Sequence, residues 1–195
     1  MNLEIITERI KSNADLSFGD IFSKSIELFK KVWLQGFILL LLTFVVILPF
    51  YIILYIPMIA AGITDPEVIR NNELPPMVAI AMGILSPVFA IGISTFSLAL
   101  NAAFLKICRQ KDIGEEVSDD YFYFFKEGRL GKVFKLALYT VGLAILGLLA
   151  CGVGLIYVIV PLSLIPAFLA FSNELSPLEM VKASFALGNK NWLVI

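Results

Sequence analysis

Glu115, Glu116, Asp119 and Asp120 form the densest cluster of metal-capable side chains in this 195-residue chain. Carboxylates so close together suit a divalent cation, which takes oxygen ligands. The same acids suit a solvated loop at the start of a helix, where they favour the positive end of the helix dipole. That second reading is the simpler one. The chain has no histidine, so Ser-His-Asp triads and His-containing metal sites are excluded. Of the two cysteines, Cys108 sits at one end of an apolar run and Cys151 at a turn on the opposite face. They cannot pair. Cys108 reads as a small packing residue or, in a eukaryote, a palmitoylation site.

Ser94, Thr95, Ser97 and Asn101 are the most polar residues inside any apolar run. They suit inter-helix hydrogen bonding, with a polar face lining a substrate path as the alternative. No charge lies deep within an apolar run. That leaves no proton relay and no buried ion-pair switch. Intramembrane Ser/Lys chemistry would need a lysine that is not there. The expectation is a non-enzymatic protein with no catalytic residue, no metal and no cofactor.

These groups must be positioned by elements of an unusual composition. The chain is 59% hydrophobic and 16% charged, with a mean hydropathy of +0.90. A soluble domain is ~45–50% apolar and ~25% charged. A soluble fold and a disordered chain are therefore excluded, and the lipid bilayer is the first partner implied. The net charge of −1 carries no nucleic-acid footprint.

The apolar pattern predicts an all-α integral membrane protein with four transmembrane helices in two hairpins. Each hairpin is preceded by a cytoplasmic amphipathic helix at the membrane surface. The expected order is an interfacial helix over 17–31, a span over 32–63 and a span over 77–108. A second interfacial helix over 118–131, beginning after Ser118, leads to spans over 133–150 and 155–171. A third covers 176–190, and 191–195 starts a possible fifth span. The first run is long for the ~20 residues a span needs, so it reads as one helix kinked at Pro49 and tilted, with two short spans as the alternative. Ahead of it, Leu3, Ile5, Ile6 and Ile10 suggest one face of a short surface helix. Glu4 and Glu8 exclude a signal peptide.

Basic residues fix the expected orientation. Counted by segment along the chain they run five, one, seven, none and two. Basic loops mark the cytoplasmic side, so both termini are expected inside. The placement is a multi-pass protein of the cell inner (cytoplasmic) membrane with a cytoplasmic N-terminus.

In the first interfacial segment Phe18, Ile21, Phe22, Phe29, Val32 and Trp33 share a face. In the last, Leu178, Val181, Phe185, Gly188 and Trp192 do. Both open on a capping-box pattern, Ser17-Phe-Gly-Asp20 and Ser176-Pro-Leu-Glu179, the latter with Pro177 at the first helical position. LSFGDIFSKSIELFKKVWL (16–34) and LSPLEMVKASFALGNKNWL (175–193) align without gaps, with seven identities in nineteen. If this is a repeat, the chain holds two helix-plus-hairpin units and the start of a third, and continues beyond Ile195.

The run CGVGLIYVIVPLSLIPAFLAFSNELSPLEMVKASFALGNKNW (151–192) resembles the membrane domain associated with glycerophosphoryl diester phosphodiesterases. It is also similar to related six-helix bacterial inner-membrane proteins. The residues that carry the resemblance are Pro161, Glu179, Ser184, Gly188, Asn189 and Trp192, with Ser176 and Pro177 opening the helix. It covers about 17–35 and 115–195. The resemblance implies six spans and no reaction. The phosphodiesterase barrel is a separate soluble domain with acidic and histidine residues.

Two functions follow. The first is a membrane scaffold or accessory subunit, bound to a membrane-protein partner or to itself as a homo-oligomer. The second is a transporter or channel component for a neutral or lipidic solute, suggested by Pro/Gly-interrupted spans and the Ser94–Asn101 polar face.

Overall fold

A computed structural model describes residues 3–12, 17–63, 67, 74–115, 119–126, 128–150, 152–172 and 174–190. Among these residues the fold is all helical, with no strand. The helices are α1 (Leu3–Ser12), α2 (Phe18–Ala60), α3 (Pro76–Asp112), α4 (Leu130–Leu149), α5 (Val153–Phe171) and α6 (Pro177–Lys190). One 3-10 turn, Tyr123–Phe125, lies between α3 and α4. Four helices, α2 to α5, are long and apolar enough to cross a membrane.

Their lengths differ in kind. At 1.5 Å per residue, the 43 residues of α2 reach about 65 Å and the 37 of α3 about 55 Å. The 20 of α4 and 19 of α5 reach about 30 Å, close to the thickness of a hydrocarbon layer. α2 runs unbroken through Pro49 and Pro57. A proline removes one backbone bond, and long apolar helices tolerate the loss.

Two expected boundaries do not survive. Residues 17–31 are not a separate helix but the opening turns of α2, because nothing between Lys31 and Gly36 breaks the backbone. Nor do the described residues of 118–131 form an amphipathic helix. They hold the single 3-10 turn, and α4 begins at Leu130. Tyr121 and Phe124 are buried there, 7% and 3% exposed. Five aromatics in a row cannot all face one side of an α-helix. A tight turn that sends two of them inward satisfies more of their surface.

The core sits at one end of the bundle. Ala99, Leu100, Ala102 and Ala103 of α3, Leu136 and Ala137 of α4, Ile165 of α5 and Met180 of α6 have essentially no exposed surface. The run of small residues in α3 lets α2, α4 and α5 approach it closely. α1 docks on α6 with Ile6 buried, and Lys190 Nζ donates to the Ile10 carbonyl at 2.7 Å. That lysine satisfies one of the carbonyls that a helix end leaves open. Ile5 points out instead, so the expected α1 face holds for Leu3, Ile6 and Ile10 only.

α2 packs on α3 and on no other helix among the described residues. The two run antiparallel. Lys31 pairs with Asp112 at 2.9 Å, Gly36 faces Phe104, and Gly92 lies directly under the Phe50 ring. Phe50 also meets Phe89 and Phe96 edge-on, with ring centroids 5.7 Å away in each case. Most of the remaining apolar side chains of α2 are exposed.

The α4–α5 turn is made by Gly152 at φ +76°, a backbone conformation that glycine takes without strain. Gly147 and Gly154 then lie backbone to backbone. A Cβ at Gly154 would fall 2.8 Å from the Gly147 carbonyl oxygen.

Candidate functional site

The intramembrane polar set is spent locally. Thr95 Oγ1 donates to the Ile91 carbonyl at 2.7 Å. Asn101 Nδ2 donates to the Ser97 carbonyl at 2.8 Å and to Ser97 Oγ at 3.3 Å. All are bonds one turn back along α3. Such bonds return polar groups to their own helix. Ser97 and Asn101 are therefore brought together, while Thr95 is buried against neighbouring helices and Ser94 is half-buried. These groups are tied to α3 itself rather than reaching across to another helix.

Three of the residues singled out for the resemblance, Pro161, Gly188 and Asn189, meet at the α5–α6 contact. A Cβ at Gly188 would lie 3.1 Å from the Pro161 ring and 3.2 Å from its nitrogen. Asn189 Oδ1 accepts from the Tyr157 hydroxyl at 2.8 Å. Ser184 is fully buried, its hydroxyl returned to the Val181 carbonyl at 2.8 Å. Gly188 leaves room for the proline, and Asn189 ties the next turn. Trp192 and the 191–195 segment lie outside the described residues.

The start of α6 is a complete capping box. The Glu179 carboxylate accepts from the Ser176 backbone N–H at 2.8 Å and from its hydroxyl at 2.6 Å. The Glu179 N–H donates back to Ser176 Oγ at 3.4 Å. These bonds from Ser176, with the charges of Lys182 and Lys132, hold the Glu179 carboxyl below its ordinary pKa. Leu175 and Met180 share one buried cluster, as in a hydrophobic staple. The buried face of α6 is Met180, Val181, Ala183, Ser184 and Gly188. Leu178, expected on that face, is exposed. α1, α4 and α5 all contact α6, so its covered arc is wider than one apolar stripe. Ser17, by contrast, makes no side-chain cap at the start of α2. Asp20 is one methylene shorter than glutamate, a shorter reach back to the cap.

Two acids of the cluster, Asp119 and Asp120, are engaged by neighbouring side chains. Asp119 accepts from Gln35 Nε2 at 3.1 Å and lies 3.6 Å from Lys111 Nζ. Asp120 pairs with Lys126 at 2.6 Å. Among the described residues no group of three acids or cysteines is placed to hold a metal. Glu116 and Ser118 lie outside those residues, as does Cys151. Cys108 is buried and unpaired with any other cysteine. Tyr121 closes this corner by donating its hydroxyl to the Gln35 carbonyl at 2.9 Å. Burial first, then the nearby Asp119 and Cys108, push the Tyr121 phenol up to about 12.

A concavity lined by charged side chains lies where the far end of α3 meets the 3-10 turn and the end of α5. Lys106 Nζ sits 3.2 Å over the centre of the Tyr123 ring. The Arg129 guanidinium lies 4.0 Å over the same ring and donates to the Tyr123 carbonyl at 3.3 Å. Arg109 lies 5.6 Å over Phe171. Two cavities share Tyr123. One of about 220 Å³ is bordered by Lys106, Arg109, Gln110, Glu115 and Phe171. The other, about 280 Å³, is bordered by Arg129, Lys132 and Leu169. From sequence these basic residues read as an orientation signal only. The clue was Lys106 and Arg109, three apart and so on one helix face. Comparison with protein-family models, curated proteins and solved structures finds no match to this chain.

Proposed function

We propose that this chain is a non-enzymatic, multi-pass protein of the inner membrane that serves as a scaffold or accessory subunit of a membrane complex. The basic ends lie in the cytoplasm, the N-terminus included. α2 with α3 and α4 with α5 act as two membrane hairpins. The opening turns of α2, with Phe18, Phe22, Phe29 and Trp33 exposed, and the amphipathic α6 lie at the cytoplasmic surface. The likeness of 151–192 to the membrane domain of glycerophosphoryl diester phosphodiesterases is part of the same proposal, and concerns architecture rather than reaction.

The observation that carries this reading is α2. Among the described residues it is the longest helix, it packs on one other helix, and it offers a nearly continuous apolar flank. That flank includes a groove of about 470 Å³ along Leu40, Phe44, Ile47 and Tyr51. A helix this exposed suits docking to a second transmembrane protein or another copy of the chain. The intrahelical bonds of Thr95 and Asn101 argue against a transport path.

A photo-crosslinking residue at Phe44, in the native membrane, tests the proposal. A discrete protein adduct, absent when the probe is placed at buried Ala99, is the expected result. Lipid adducts alone overturn the scaffold reading. Solute or lipid flux in vesicles that Asn101→Leu abolishes replaces it with a transport function.

A further inference from the structure

We propose that the cavity between Lys106, Arg109 and Phe171 binds a phosphate group, carried by a phospholipid headgroup or by a small soluble ester. The proposal goes beyond the scaffold reading and rests on it only for the cytoplasmic placement of this end of the bundle.

The charges around this cavity are unbalanced. The nearby acids are already committed: Asp112 to Lys31, Asp119 to Lys111 and Gln35, Asp120 to Lys126. Among the described residues no carboxylate lies within ion-pair distance of Lys106, Arg109 or Arg129. These three rest on aromatic rings instead. A ring quadrupole attracts a cation but does not neutralise it. Lys106 and Arg109 both border the cavity, and an anion there would meet two positive charges at once. Among the described residues Glu115 is the one carboxylate on the cavity wall. It tempers the positive field without cancelling it.

The donors also have aromatic neighbours. Arg109 lies over Phe171 with its guanidinium, whose N–H groups fork in the plane of the group, where they match two phosphate oxygens. Lys106 adds a point charge. The α3 dipole favours cations at its last turn, which accounts for Arg109 and Lys111 there. It does not account for an open cavity walled by cations. The cavity lies where α3 and α5 end, and these are apolar helices long enough to span. Basic pockets between such helices on the cytoplasmic side are where phospholipid headgroups bind.

The full chain, purified in an uncharged detergent, is titrated with dioleoyl phosphatidylglycerol, with dioleoylglycerol, and with glycerol 3-phosphate. Bound adducts are counted by native mass spectrometry and melting temperature is followed in parallel. Dioleoylglycerol, which lacks the phosphate, should not bind. Lys106→Gln with Arg109→Gln should weaken phosphate binding at least tenfold. Lys24→Gln with Lys30→Gln, which removes the same charge from exposed positions of α2, should leave it unchanged. Glu115→Gln should tighten it, a gain that only a folded protein can give. Binding of phosphatidylglycerol alone assigns the site to a lipid headgroup; binding of glycerol 3-phosphate as well assigns it to phosphate from either source. The proposal is overturned if the Lys106/Arg109 variant melts as a folded protein yet keeps its affinity. It is equally overturned if the Lys24/Lys30 control loses as much, or if dioleoylglycerol binds as well as phosphatidylglycerol.

Discussion

Residues 16–34 and 175–193 read almost alike and are treated oppositely by the fold. Both put an N-cap serine before an amphipathic helix. In the second, Ser176 and Glu179 bond reciprocally and Met180 is fully buried. In the first, Ser17 makes no side-chain cap, and Phe18, Phe22 and Phe29 are 68%, 57% and 67% exposed. Phe29 occupies the position of Gly188, whose missing side chain admits Pro161. The difference lies in what surrounds each helix. α6 has α1, α4 and α5 against it, whereas the start of α2 has only the end of α3. A shared pattern marks a helix with one apolar face. Coverage of that face depends on elements far away in the chain.

The sharpest way to break this comparison is to truncate the matched pair Met180 and Ile21. Met180→Ala empties a fully enclosed site and should cost about 3–4 kcal/mol. Ile21→Ala, at a half-open site on α2, should cost less than about 1 kcal/mol. Unfolding in detergent measures both. Equal losses would mean that the start of α2 is as tightly packed as α6.

The second test exchanges the residues that differ. Gly188→Phe drives a ring into Pro161 and should cost about 2–3 kcal/mol, the usual penalty of overpacking. The reverse change, Phe29→Gly, should cost about 1 kcal/mol through helix propensity alone. A larger loss at Phe29 in lipid than in detergent would show that the membrane covers this face.

Much of this architecture was legible because long apolar runs and capping boxes are local signals. The capping box placed α6 within a residue, and the runs placed four long apolar helices. The turn at Gly152 was legible from the glycines of 151–154, although Val153 and Gly154 already belong to α5. The contents of 118–131 were not, because a string of aromatics has no helical period and its fate rests on whether the core has room for Tyr121 and Phe124. The docking of α1 was equally hidden, since Lys190 and Ile10 meet across almost the whole chain. Nothing local in Lys106, Arg109 and Arg129 separates an orientation signal from a walled cavity. That distinction arises only when Tyr123 and Phe171 are brought beside them.

A smaller effect sharpens the comparison at the caps. Ser176→Ala removes a bonded N-cap and should cost about 1 kcal/mol. Ser17→Ala should cost a few tenths at most, since no side-chain bond is lost. Hydrogen exchange in the first turn of each helix reports the two locally, with faster exchange expected only in α6.

The smallest effect is the pH dependence of that same cap. The bonds from Ser176 hold the Glu179 carboxyl below its ordinary value. A carboxylate whose folded pKa is lowered contributes stability that is present in full above its unfolded pKa, ~4.3. The contribution is lost as pH falls through the folded pKa, because both states then carry the proton. The stability gap between the native chain and Ser176→Ala should therefore be constant from neutral pH to about pH 5 and narrow below it. A gap that stays constant into strong acid would show that Ser176 caps α6 through its hydroxyl and the Glu179 N–H alone, without the carboxylate. The two aligned helices would then still differ at the cap, since Ser17 makes no side-chain cap bond, but the difference would rest on one hydroxyl and not on a charge.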